Sequence, residues 1–219
     1  MNSDILLFSI HFSSVLAFLP IAIMLWNLKK LKQRTFGWAI LGYFSCLFFA
    51  GVFSYISAYL FESTYPVYHV FMLIQVFFVL QLFKNEYANK HFRTVSYFFF
   101  VVLILSEIFE FTFKGGFFAN NTITYPIINL TFILQFFLYL VDAIKNRPGI
   151  ISNRKSPFLI LCSTLFYSIN QLLFSLIEED IRMLLINNEY AMLIWALFVW
   201  FYTFFLLIAS YILWRNLRS

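Results

Sequence analysis

Charge is scarce in this chain. Asp, Glu, Lys and Arg make up 11% of its 219 residues, against roughly 25% in an ordinary soluble domain. A soluble globular protein is excluded on that ground. Cysteine is nearly absent: Cys46 and Cys162 both fall inside long apolar runs. Two such residues make no disulfide framework, and no CxxC spacing exists for a metal or redox centre. Packing is their expected role. Proline and glycine number five and six. They stand mostly at the ends of apolar runs or between them. The runs themselves are therefore long.

Hydrophobic residues fill 62% of the chain. A bilayer core of about 30 Å needs about 20 apolar residues per helix. Seven segments meet that length: Ile5–Leu28, Phe36–Phe61, Tyr65–Phe83, Phe92–Phe113, Ile123–Ile144, Pro157–Ile177 and Tyr190–Trp214. They leave no room for a separate soluble domain. Ile5–Leu28 exceeds a secretory h-region of about 7–15 residues. Asp4 precedes it and Lys29-Lys30 follow, so it reads as a retained first helix. Pro20 predicts a kink within it. Pro148-Gly149 marks a turn. Ser156-Pro157 reads as an N-cap followed by a first-turn proline. Gly115-Gly116 and Asn120-Asn121 mark a turn on the other side.

The scarce charges are sorted. The first, third and fifth loops and the C-terminus hold 13 of the 15 Lys and Arg residues, all but Lys114 and Arg182. Basic excess marks the cytoplasmic side. The expected architecture is an all-α integral membrane protein: one seven-transmembrane-helix bundle over residues 1–219, multi-pass in the cell membrane, N-terminus outside and C-terminus cytoplasmic. The net charge of +5 belongs to these helix flanks. The expected partners are the lipid bilayer and a cytoplasmic or membrane signalling protein, not nucleic acid. A homo-oligomer stays open.

Polar residues inside a span are costly and need a reason. On span six, Thr164, Ser168, Gln171, Ser175 and Glu178 are spaced four, three, four and three, which forms one stripe. Asn170 sits beside it. A wet cavity and plain interhelical hydrogen bonding explain such a stripe about equally well. On span two, Gly42, Cys46, Ala50, Ser54 and Ala58 recur every four residues. Small residues so placed let another helix approach closely, which predicts a central, tightly packed span two. Spans three and five share a pattern: Thr64-Tyr65-Pro66 with Gln75, and Thr124-Tyr125-Pro126 with Gln135. A parallel repeat of helical hairpins would produce it, as would shared helix-start grammar.

Rise arithmetic at about 1.5 Å per residue puts His69, Glu107 and Asn129 at similar depth in the outer half. His11 belongs to the same level. Asn170 and Gln171 lie slightly deeper, and Gln75 and Gln135 sit near the midplane. Glu107 matters most, because a carboxylate within a span is a functional-site candidate by default. With His69 as partner it becomes a pH-responsive pair. Glu110, three residues on, suggests instead that this helix end is wet. The expected ligand-binding set is His69, Glu107, Asn129, Asn170, Gln171, Gln75 and Gln135. No catalytic or metal-binding residues and no cofactor are assigned. A His11–His69–Glu107 metal or haem site has depth in its favour but no specific spacing. The 32 Phe, 13 Tyr and 5 Trp fit interfacial belts, or the lining of an apolar ligand pocket.

Seven spans with an outside N-terminus resemble rhodopsins and G-protein-coupled receptors in topology alone. Span seven has no lysine for a retinal Schiff base. No Asp-Arg-Tyr follows span three, and no Asn-Pro-x-x-Tyr occurs in span seven. Topology by itself carries no function. The expected function is a receptor-like or sensory module with an outward-facing intramembrane pocket for a small or lipidic ligand. A small-solute transporter or channel is the first alternative. A lipid-modifying enzyme is the second, with no nucleophile–base motif behind it.

Topology is open to a direct test. A reporter active only in the cytoplasm should work when fused at Ser219 and fail at Gly115-Gly116. The reverse pattern would overturn the orientation.

Overall fold

The computed structural model describes residues 2–33, 36–86, 90–114, 116–118, 122–146, 158–185 and 189–218. The Pro148-Gly149 turn, the Ser156-Pro157 helix start, Gly115 and the Asn120-Asn121 turn lie outside the described residues. So do the side chains of Glu178 and Arg182.

All described regular structure is helical. Span one is built from α1 (Asn2–Leu16), α2 (Phe18–Trp26) and a short α3 (Leu28–Lys32). Spans two to seven are α4 (Gly37–Phe61), α5 (Tyr65–Glu86), α6 (Lys90–Phe113), α7 (Thr124–Asn146), α8 (Phe158–Leu185) and α9 (Glu189–Arg218). A 3-10 turn, Gly116–Phe118, follows α6. Seven helical spans are long and apolar enough to cross a membrane. By helix length and hydropathy this is a multi-pass membrane protein in contact with a lipid bilayer.

The breaks in span one have local causes. Pro20 has no N–H to offer the Leu16 carbonyl, and its ring crowds that carbonyl. The helix is interrupted at Ala17, one turn before the proline. A second interruption falls at Asn27, with φ −107° and ψ 28°. Its side-chain Nδ2 donates to the Ile23 carbonyl at 2.9 Å. The same carbonyl also accepts the Asn27 backbone N–H at 3.2 Å, so residue 27 closes α2 with both its backbone and its side chain. Two helices outrun their apolar segments. α8 continues eight residues past Ile177 to Leu185, and α9 continues to Arg218. Hydropathy reports where hydrocarbon ends, and a helix is free to continue beyond it.

Spans one, two, three, five, six and seven follow one another around a ring through neighbouring contacts. Span four packs against spans three and five, on the outside of their seam. Burial agrees with that placement: 50% of the apolar window of span five and 44% of span three are buried, against 22% of span four. Aromatic rings fill the interior. Phe44 stacks on Phe205 at 6.0 Å, and Phe205 on Tyr167 at 4.7 Å. Towards the basic end, Tyr139 packs with Phe83, Phe136 and Phe158.

The central place expected for span two belongs instead to spans three and five. Its small-residue stripe is buried at Cys46, half-buried at Gly42, Ala50 and Ser54, and exposed at Ala58. Close approach is real at one end. A Cβ on Gly42 would fall 2.2 Å from the Phe78 ring of span three. Beyond Phe49 the helix exposes most of its residues, although Phe53 still stacks on Phe71 of span three and Tyr55 on His11 of span one.

Glycine sets a second close approach. A Cβ on Gly37 would fall 2.2 Å from the Leu31 carbonyl oxygen, where α3 meets the start of α4. Backbone cannot swing away as a side chain can. Gly37→Ala should therefore destabilise the fold by about 1–3 kcal/mol, the usual range for overpacking. Gly51 has nothing within 4 Å of a built Cβ, so Gly51→Ala should hold or raise stability. Thermal unfolding in detergent checks both. Equal melting of Gly37→Ala and the parent would refute the packing described here.

Candidate functional site

Span four shows how the polar groups are organised. Its buried residues are Ser96, Leu103, Glu107 and Glu110. Spacings of seven, four and three put them on one helical stripe. Three of the four are polar, and each meets a neighbouring span. The Ser96 hydroxyl donates to Gln135 Oε1 on span five at 2.7 Å. Glu107 Oε1 meets His69 Nδ1 on span three in a short, buried contact. Glu110 reaches the start of span five.

Glu110 has a structural role. Its Oε1 accepts from the Ile123 N–H at 2.7 Å and from the Thr122 hydroxyl at 3.2 Å. Its Oε2 accepts from the Thr124 N–H at 2.8 Å. The first N–H groups of a helix have no partner within it, and a carboxylate there also suits the helix dipole. Span four thus caps span five. The residue is 1% exposed, so the wet helix end expected from its presence is not found. Its neighbours along the chain carry no hint of this. The donors lie 12 to 14 residues downstream, across a turn.

Glu107 is different. It is buried, and its Oε2 has no hydrogen-bond partner among the described residues. One proton is shared with His69: either Nδ1–H donates to a carboxylate, or a carboxyl O–H donates to Nδ1. No Lys or Arg contacts Glu107 among the described residues. His69 lies one turn into α5 and Glu107 under two turns from the end of α6. Both therefore stand about 6–9 Å inside the same end of the bundle.

The other expected residues take several placements. Asn129 is buried, and its Nδ2 donates to the Tyr125 carbonyl of its own helix at 3.0 Å. Gln171 Oε1 accepts a short bond from the Tyr125 hydroxyl, joining spans five and six. Asn170 is buried, and its Nδ2 has no partner among the described residues. Gln135 is fully buried with Ser96. Gln75 and Thr164 flank the Tyr43 hydroxyl, outside strict hydrogen-bond geometry. The span-six stripe turns inward at Thr164 and Ser168, both buried. His11 is placed elsewhere. It is exposed on span one, stacked on Tyr55 at 6.0 Å, with Nδ1 3.4 Å from the Tyr55 hydroxyl. No group of three metal-ligating side chains occurs among the described residues.

Two features escaped the sequence reading. Tyr43, Tyr125, Tyr167 and Tyr202, from four different spans, are electrostatic neighbours, with Tyr68, 40% exposed, beside them on a fifth. Tyr68 and Tyr125 stand at span ends, where an interfacial belt was expected; Tyr68 is exposed accordingly, and Tyr125 instead bonds Gln171. Asp142 is a fully buried carboxylate on span five, bonded by the Asn146 amide at 2.7 Å. Its four-residue spacing from Asn146 was the available signal.

No protein-family model, curated protein or solved structure matches the chain. The chemistry of the site rests on its own geometry.

The cap gives a measurable consequence. Glu110→Ala leaves three donors without an acceptor, two of them backbone N–H groups. A lost N-cap costs about 0.5–2 kcal/mol. The unfolding midpoint should fall in Glu110→Ala and partly recover in Glu110→Gln, which keeps one acceptor oxygen. An unchanged midpoint in both variants would exclude the capping role.

Proposed function

We propose that this chain is a receptor-like or sensory protein of the cell membrane, with its N-terminus outside and its C-terminus in the cytoplasm. It binds a small or lipidic ligand within the outer half of the bundle, at the level of Glu107. One observation carries the reading: a buried carboxylate uses one oxygen on His69 and leaves the other without a hydrogen-bond partner among the described residues. An unmatched buried acceptor costs about 1–3 kcal/mol. A ligand N–H or O–H removes that cost, so affinity and chemistry coincide at Glu107 Oε2. His69 supplies the second half of the device. It holds the carboxylate in place and shares its proton.

Asn129, Asn170, Gln171, Gln75 and Gln135 belong to the same reading as polar groups near the ligand. The basic loops would contact a separate signalling protein. Passage through the bundle is favoured less, because the Phe44–Phe205–Tyr167 stack occupies its interior. The transporter alternative keeps the paired Tyr-Pro starts and glutamines of spans three and five, the two most buried spans.

The test uses protein extracted from its own membranes. Native mass spectrometry of the parent should show a retained small mass. Glu107→Gln keeps shape and most hydrogen bonding but removes the ionisable group. It should lose that mass while its melting temperature holds. A parent that retains nothing, with Glu107→Gln lowering stability, would make the pair a purely structural clasp.

A further inference from the structure

We propose that the groove between the basic ends of spans one and seven binds the headgroup of an anionic phospholipid. The groove measures about 540 Å³ and is lined by Ala22, Ile23, Trp26, Asn27, Trp214 and Arg218. Its chemistry is layered. Ala22 and Ile23 form an apolar floor of the kind an acyl chain would follow. Trp26 is 90% exposed, so nearly the whole indole stands outside the protein. In a membrane protein such rings lie at headgroup level. Asn27 and Arg218 make the polar rim.

The cationic groups are held in place. The Arg218 guanidinium lies 5.0 Å over the Trp214 ring. That stacking leaves its N–H edge for a phosphate, which a guanidinium can take bidentately. Lys30 Nζ donates to the Arg218 carbonyl at 3.1 Å. This bond fastens α3 to the last turn of α9, where carbonyls lack partners, and brings an ammonium beside the groove. The break at Asn27 starts α3 as a separate turn carrying Lys29, Lys30 and Lys32.

Asp and Glu are absent from residues 5–61 and from residues 190–219. A zwitterionic lipid offers the same phosphate but adds a cation that these lysines would repel. An anionic headgroup matches both the phosphate site and the surrounding field. Basic pockets between helices bind such headgroups for this reason.

The test uses the full chain in neutral detergent, with phosphatidylglycerol, phosphatidylcholine or inorganic phosphate added separately. Native mass spectrometry should show phosphatidylglycerol retained about tenfold more strongly than phosphatidylcholine. It should also raise the unfolding midpoint. Arg218→Gln combined with Lys30→Gln should abolish the preference. Ala22→Trp keeps every charge but fills the floor, and should also weaken retention. Lys84→Gln removes a lysine that stacks instead on Tyr97, and should behave as the parent. Three results would overturn the proposal: equal retention of both lipids, equal protection by phosphate alone, or undiminished phosphatidylglycerol binding in both groove variants.

Discussion

Hydrocarbon offers no partner to a polar group, and that constraint organises this bundle. Span four shows it most plainly. It is the least buried span, and most of its surface is apolar. What it buries is Ser96, Leu103, Glu107 and Glu110. Each polar member has its counterpart on an adjacent span. Apolar burial contributes little here, because lipid is as good a solvent for phenylalanine as another helix. Individual interhelical hydrogen bonds contribute about 0.6–2 kcal/mol. Three of them on one stripe are enough to fix both the depth and the rotation of a peripheral helix.

The same constraint separates structure from candidate function on that helix. Glu107 and Glu110 are both acids, both buried and less than one turn apart. Glu110 has each oxygen occupied by donors at the start of span five. Neither oxygen is left without a donor. Glu107 has one oxygen engaged and, among the described residues, one without a partner. A packing role alone favours full satisfaction, since each unmatched buried atom costs stability. The asymmetry is therefore the observation that points to binding, more than the presence of a carboxylate in a membrane.

Depth was legible in the sequence, and rotation was not. A bilayer aligns helices, so counting residues from each span end gives one shared coordinate. It placed His69 and Glu107 at the same level although they stand 38 residues apart. The span limits followed from hydropathy for the same reason. Rotation about each helix axis depends on which neighbours the bundle supplies. Span two, with its small-residue stripe, reads as central. Burial along that stripe falls from Cys46, which is buried, through half-buried Ala50 and Ser54 to exposed Ala58. Tyr55, Tyr59, Tyr65, Tyr68, Tyr125 and Tyr190 read as belt residues; Tyr55, Tyr59, Tyr68 and Tyr190 are exposed, while Tyr125 turns its hydroxyl to Gln171. Glu110 reads as a wet end because its donors appear only once the following turn brings span five back.

Depth also separates the two ligand sites proposed here. The Glu107 level lies within one end of the bundle, among buried side chains, and Glu107 offers an acceptor there. A ligand there must enter desolvated and bring a donor. The groove at the opposite end sits among exposed indoles and cations. A ligand there keeps its water on one side and brings an anion. α9 and the segments of span one run together between these ends, and Lys30 ties their basic termini. A headgroup held in the groove would fix that tie. It would then act on the bundle without touching the Glu107 level, because spans three and four, which carry the His69–Glu107 pair, do not line the groove.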